Sequence, residues 1–144
     1  MITDYLIDGI TEGESYSRID LSYDQIDNWY TNVEQDVLKT VQLIPGVTSI
    51  NESAGDIQIR GSSIDQTLLL WEGATIYGPG HLFGSIASIN PFVIDDIKVY
   101  KGVFDPSYAN RVGGIIDMSL SDEIPNRIIG GVGSTLSELH ANLD

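Results

Sequence analysis

The 144-residue chain has no cysteine, so disulfides, thiolate nucleophiles, iron–sulfur clusters and thiolate zinc sites are all excluded. Two histidines are too few for a His-rich metal site. Positive charge is equally scarce: 7 Lys and Arg stand against 21 Asp and Glu, a formal charge of −14. Phosphate contacts need clustered cations, which argues against nucleic acid as a partner and against an anionic lipid surface. There is no long apolar run. The least charged stretch, residues 73–94, is broken by Pro79, Pro91 and several glycines and would not make a membrane-spanning helix. The first residues lack the cationic and apolar regions of a signal peptide. Nor is there a nucleophile-elbow, phosphate-loop or His-Glu-x-x-His pattern, so the reading is of a protein that is not an enzyme, with no cofactor and no metal.

What is present is the material of one folded domain. Hydrophobic residues make up 42% of the chain and charged residues only 19%, which is not the composition of a disordered segment. The acidic excess is concentrated early. Asp4, Asp8, Glu12, Glu14, Asp20, Asp24, Asp27, Glu34 and Asp36 face a single cation, Arg18, so nine carboxylates and one cation put −8 in the first 36 residues. Residues 1–14 therefore read as an acidic, solvated arm or linker.

From Ser15 the pattern becomes structural. Ile19 and Leu21 interleave with Arg18, Asp20 and Ser22, a short strand, and residues 23–29 allow one or two helical turns. Thr31 with Glu34 fits a capping box, followed by Val33, Val37, Leu38, Val41 and Ile44 at helical spacing, a helix of about three turns. Pro45 and Gly46 stop it. The period then shortens to two. Strands are expected over Val47–Ile50 and Ile57–Arg60, and over Leu68–Trp71, whose unbroken apolar run suits a strand covered on both faces. Glu72-Gly73 reads as a two-residue hairpin turn into Ala74–Tyr77. Residues 78–84 form a glycine-rich loop, and strands return at Ile97–Tyr100 and around Ile116, Met118 and Leu120. The fold class is α+β, in the order helix, strands, short helix, strands. Near the end, Leu139, Ala141 and Leu143 alternate with polar residues after glycines 130, 131 and 133. Periodicity alone makes this an amphipathic edge strand or a transmembrane barrel strand.

Few residues carry chemistry. His81 has no second histidine near it in sequence and reads as a loop residue rather than a general base or ligand. Arg60 and Arg111 are two of very few cations, each beside a glycine or turn. A local ion pair with a neighbouring carboxylate is the ordinary alternative to any special role.

Taken in order, several stretches resemble one family. They are residues 36–47 (DVLKTVQLIPGV), 57–63 (IQIRGSS), 65–73 (DQTLLLWEG), 77–84 (YGPGHLFG), Asn90-Pro91, 97–102 (IKVYKG) and 108–114 (YANRVGG). Together they resemble the plug domain of TonB-dependent outer-membrane receptors, in the form common among Bacteroidetes. The likeness runs from about Arg18 to Leu120. It departs at Glu72, where the family has Asp, and at Ala109-Asn110, where it has glycine. It implies a small mixed β-sheet with short flanking helices, with residues 15–123 as the plug and residues 124–144 as the start of a barrel's first strand, in an excised piece with an added Met1 that is soluble by itself.

The implied function is transport: a plug occluding the lumen of a barrel of about 22 strands. The implied partners are that barrel, a TonB-type energising protein and a small nutrient ligand of unknown class, and the implied location is the outer membrane. By resemblance Arg60 and Arg111 are the latch to barrel-wall carboxylates. Gly78, Pro79, His81 and Phe83 belong to a loop facing ligand or barrel, and Pro45, Gly46, Gly61, Gly73 and Gly102 are structural turns. A free-standing ligand- or carbohydrate-binding module is the alternative from another class.

Overall fold

In a computed structural model, the described residues are 9–13, 17–22, 36–50, 55–81, 86–87, 89, 93–108, 112–120, 130–134 and 139–143. The strands are β1 (Ile10–Glu12), β2 (Arg18–Ser22), β3 (Val47–Ser49), β4 (Ile57–Ile59), β5 (Thr67–Trp71), β6 (Ala74–Thr75), β7 (Gly80–His81), β8 (Ile86–Ala87), β9 (Asp96–Tyr100), β10 (Gly114–Ser119), β11 (Gly130–Ser134) and β12 (Leu139–Leu143). The one α-helix among the described residues is α1 (Val37–Val41).

Six strands make the central sheet, in the order β1-β2-β9-β10-β5-β6. Only β5 and β10 run parallel; the other neighbours are antiparallel. The sheet is thus mixed, as the family resemblance implies.

Alternation decides which face is buried. Ile19 and Leu21, Ile97 and Val99, and Ile116 and Met118 all point to one side, and none exceeds 1% exposure. Against them pack Val37, Leu38 and Val41 of α1, Ile44 after it, and Val47, Ile57 and Ile59 of the β3–β4 hairpin. Each such side chain removed from water contributes about 1.5–3 kcal/mol.

A five-residue helix cannot stand alone in water, so α1 exists because this packing holds it. Its cap differs from the expected Thr31–Glu34 pair, which lies outside the described residues. Asp36, extended at φ −122°, accepts through Oδ1 from the amides of Leu38 (2.9 Å) and Lys39 (3.2 Å). A short carboxylate one residue before the first core valine reaches both amides. Gly46 at φ +87° then turns the chain into β3.

Three further expectations change. Within the expected arm, Ile10–Glu12 pair with β2 (Ile10↔Leu21) and Ile10 is buried, so these residues complete the sheet edge. Three residues are too few for alternation to show in sequence. Part of the expected glycine loop pairs as β7–β8, with Gly80 opposite Ala87. The C-terminal segment forms two strands where one was expected: β11 and β12 are antiparallel, with Gly130 opposite Leu143. The helical turns expected over residues 23–29 lie outside the described residues.

The second face of the sheet is divided. Leu68, Leu70 and Ile115 are buried there beneath Tyr100, Phe104 and Tyr108, the last two carried by the loop that follows β9. Leu69 faces the main core, so β5 is covered on both sides as its unbroken apolar run suggests. The rest of this face is polar. Register sets Asp20 opposite Lys98 and Lys98 opposite Asp117, and the next row is Ser22, Asp96 and Ser119.

Candidate functional site

The segment after β4 is a tight turn. The Ser62 amide donates to the Ile59 carbonyl (3.0 Å), and the Ile59 amide donates to Ser62 Oγ (3.3 Å). Both central residues are left-handed, Arg60 at φ +52° and Gly61 at φ +72°. Glycine takes that conformation freely, whereas a residue with a Cβ gives up about 1 kcal/mol. Arg60 is nevertheless exposed at the tip.

Two other segments converge on this turn. The Arg60 amide donates to the Gly46 carbonyl at 2.8 Å. Lys101, at the end of β9, donates from Nζ to the Pro45 carbonyl at 3.3 Å, while its amide donates to the Ser17 carbonyl at 2.7 Å. Arg60 Nη1 lies 3.1 Å from the point where a Cβ on Gly102 would stand. Thus Pro45, Gly46, Gly61 and Gly102, the first and last 57 positions apart in sequence, meet around Arg60 and Lys101. Gly46 and Gly61 are there for conformation; Gly102 has no positive φ and is there for space.

The electrostatics are unusual for so acidic a chain. Partial burial first, then the Arg60 guanidinium, hold the Lys101 ammonium below its ordinary pKa of 10.5, opposed by the Glu12 carboxylate. Among the described residues Arg60 has no ion pair. Arg18 by contrast is clamped by Asp20, Nε to Oδ1 at 2.7 Å and Nη2 to Oδ2 at 2.6 Å.

The neighbouring segment after β9, residues 101–108, is pinned onto the second face. Ser17 Oγ donates to the Val103 carbonyl (2.7 Å), and Tyr108 donates to Asp117 Oδ2 (3.2 Å) with its ring 5.5 Å from that of Tyr100. The Ser107 amide donates to Asp105 Oδ1 at 2.8 Å, which holds the Asp105 carboxyl below its usual range. Gly113, just before β10, lies against Ser62: a Cβ there would stand 2.5 Å from Ser62 Oγ. Val103 after β9, Val112 before β10 and Tyr77 are the most exposed large apolar residues described, at 84%, 78% and 79%.

Gly73 lies at the opposite end of the sheet, paired with Glu72 in the β5–β6 turn, where φ is +49° and +75°. Gly78 (φ +62°) and Pro79 lead into β7, which contains His81. Phe83 and Arg111 lie outside the described residues. Lys101 and the Tyr108–Asp117 pair are additions that sequence reading did not single out. The signals available for Lys101 were its rarity, a cation at a strand end in a chain with seven, and its place in the resembling stretch 97–102. Among the described residues, no three His, Cys, Asp or Glu side chains gather where a metal could sit. No described helix is long and apolar enough to cross a membrane, which says nothing of β-strands.

Residues 15–115 match the TonB-dependent receptor plug domain, and the chain belongs to that family. No curated protein sequence matches it. Solved structures share the fold. The siderophore receptor PirA from Acinetobacter baumannii is 23% identical with a TM-score of 0.61, over 83% of this chain and 19% of the receptor. The ferric enterobactin receptor PfeA from Pseudomonas aeruginosa, in complex with enterobactin, is 19% identical with a TM-score of 0.60, over the same shares of the two chains. The copper transporter OprC is 19% identical with a TM-score of 0.62, over 86% of this chain and 19% of the transporter. The chain spans about a fifth of the length of these receptors.

Proposed function

We propose that this chain is the gate of a TonB-dependent outer-membrane transporter. It sits in the lumen of the transporter's own β-barrel, reachable from the periplasm, and blocks the pore until a TonB-type protein of the inner membrane pulls on its N-terminal side. It carries out no chemistry itself; it contributes to holding a small nutrient and to opening the path for it. Siderophore, enterobactin and copper receptors share the fold, so the nutrient class stays open among metal chelates and other small solutes.

One observation carries the reading. An arginine held in a left-handed turn is presented to the outside with no ion pair among the described residues, and one face of the central sheet carries Asp20, Lys98 and Asp117 in a row. A gate must rest against a wet, polar wall and still be movable, so its outer contacts should be charged and hydrogen-bonded rather than broadly apolar. Arginine suits a latch of this kind, because its planar fork meets a carboxylate with two parallel hydrogen bonds. Arg60 and Arg111 are the proposed latch, with residues 78–83 as a loop facing ligand or barrel wall. The divisions proposed for the chain follow: plug to about residue 123, then the lead into the barrel.

The test uses the full-length receptor. Arg60→Ala and Arg111→Ala should each raise passive leakage of a small dye from proteoliposomes and lower energised uptake. If leakage and uptake are both unchanged in the two variants, the latch is elsewhere.

A further inference from the structure

Residues 102–108 cross the second face of the sheet as a strap without helix or strand. Phe104 and Tyr108 are partly buried over Leu68, Leu70 and Ile115, while Val103, Asp105, Pro106 and Ser107 are exposed. The strap turns on itself in the middle: the Tyr108 amide donates to the Asp105 carbonyl at 3.0 Å, and the Ser107 amide donates to Asp105 Oδ1 at 2.8 Å. Those bonds shape the strap but do not hold it down. Its ties to the sheet sit at its two ends. At the far end Tyr108 donates to Asp117 of β10, an interior strand. At the near end three contacts converge on one residue, Ser17. The Ser17 hydroxyl donates to the Val103 carbonyl at 2.7 Å, and the Ser17 carbonyl accepts from the Lys101 amide at 2.7 Å. The Ser17 Cβ stands 3.7 Å from the place of a Cβ on Gly102.

The place of Ser17 along the chain gives this contact its meaning. β1 is the edge strand of the sheet, and β1 with β2 forms the outer hairpin. The chain enters β1 at Gly9, whose carbonyl accepts from the Ser22 amide at 2.9 Å, so it arrives beside the end of β2. Ser17 lies at the opposite end, next to Arg18 and its partner Tyr100. Tension from the N-terminal side therefore meets the three residue pairs of β1 first, then Ser17, and only afterwards the five pairs between β2 and β9. Segments held by few buried contacts open before the rest of a fold.

We propose that residues 102–108 are a strap closing the second face of the sheet, with Ser17 as its catch. Drawing out β1 and then Ser17 lifts the strap while β2 still pairs with β9. The proposal rests on the gate reading above and adds where the gate first gives way. Both ends of the strap stay anchored, one in β9 and one at Asp117, so the middle rises and settles again. Beneath it lies a strip of Leu68, Leu70 and Ile115, with Asp117 opposite Leu70 and the row Asp20, Lys98 and Asp117 running away from it. The opening is thus apolar on one side and charged on the other. Exposing the apolar strip to water is unfavourable, which closes the strap when the tension ends.

Two truncations of the full-length receptor bracket the catch. One lacks residues 1–13 and keeps Ser17; the other lacks residues 1–17. Amide exchange is followed by mass spectrometry over residues 103–108 and over β9. A maleimide reagent on Leu70→Cys, in a receptor with no other cysteine, reads exposure beneath the strap. Loss of residues 1–13 should leave strap exchange as in the intact receptor and Leu70→Cys unlabelled. Loss of residues 1–17 should speed exchange over 103–108 and admit the label, with Ile97 and Val99 still protected. In the otherwise intact receptor, Ser17→Ala should speed strap exchange about fivefold, the factor that one neutral hydrogen bond is worth. Strap exchange that is the same in the two truncations, or unchanged by Ser17→Ala, overturns the proposal. So does β9 opening together with the strap, which would make the sheet a single unit. The gate reading is decided separately, and falls only if the intact receptor conducts as freely as one without residues 10–120.

Discussion

Glu72 and Leu120 are 48 residues apart, yet a Glu72 side-chain oxygen, Oε1, accepts a 2.7 Å hydrogen bond from the Leu120 amide. Glu72 sits in the left-handed first position of the β5–β6 turn, and its own amide donates to the Met118 carbonyl at 3.0 Å. The turn therefore clasps the end of β10 where the chain leaves the sheet. The family's usual aspartate would keep the turn, but its side chain is one methylene shorter.

Removing the acceptor should loosen that exit. Glu72→Ala is expected to cost about 1 kcal/mol and to speed hydrogen exchange at the Leu120 amide. Glu72→Gln retains an acceptor oxygen and should leave exchange nearly unchanged. Equal exchange in both variants would show that the bond does not hold the segment.

Gly114 is a site of close approach. A Cβ there would stand 2.5 Å from Ile59 Cδ1, 2.9 Å from Ile59 Cβ and 2.9 Å from the Tyr100 carbonyl oxygen. Neither the carbonyl nor a fully buried isoleucine can move aside cheaply. Gly114→Ala should destabilise by about 1–3 kcal/mol or more, read as a lower melting temperature. Gly61→Ala meets no atom within 4 Å but is strained at φ +72°, so it should show a backbone cost without a packing cost.

Thr67 Oγ1 is buried without a hydrogen-bond partner among the described residues. Thr67→Val keeps the branched shape and removes the unsatisfied hydroxyl, so the chain should gain about 1 kcal/mol, measured as a higher urea midpoint. A loss of stability would mean that the hydroxyl is satisfied in solution.

Tyr108 sets a pH dependence. Burial, then a hydrogen bond with Tyr100, then the Asp117 charge push its phenol well above the ordinary 10.0. The folded chain thus keeps this proton where the unfolded chain has lost it. The resulting stability is fully present below pH 10 and declines as pH rises beyond that. Tyr108→Phe should flatten the decline above pH 10 while costing little at pH 7, as followed by urea midpoints across that range.

The legible parts of this fold share a physical cause. Where one face of a strand is buried and the other is not, the alternation is written in the residues, as in Arg18–Ser22, Ile57–Ile59, Asp96–Tyr100 and Ile116–Met118. Glu72-Gly73 was readable as a turn because left-handed positions favour particular residues. Ile10–Glu12 was not readable as an edge strand, being only three residues long in an acidic stretch. The helix cap was drawn to Thr31 by a motif, whereas Asp36 is what reaches the amides. The contact between Arg60 and Gly102, the bond from Lys101 to Pro45 and the grip of Glu72 on Leu120 are all long-range, and no local pattern encodes them. Family likeness pointed to Arg60, but only the folded chain brings Lys101 to its side.

The central claim is that this domain is a movable stopper in a pore. The most direct measurement is ionic conductance in a planar bilayer, comparing the full-length receptor with a version lacking residues 10–120. The account predicts a closed intact receptor and an open, steadily conducting pore once those residues are removed. Equal conductance from the two would contradict it.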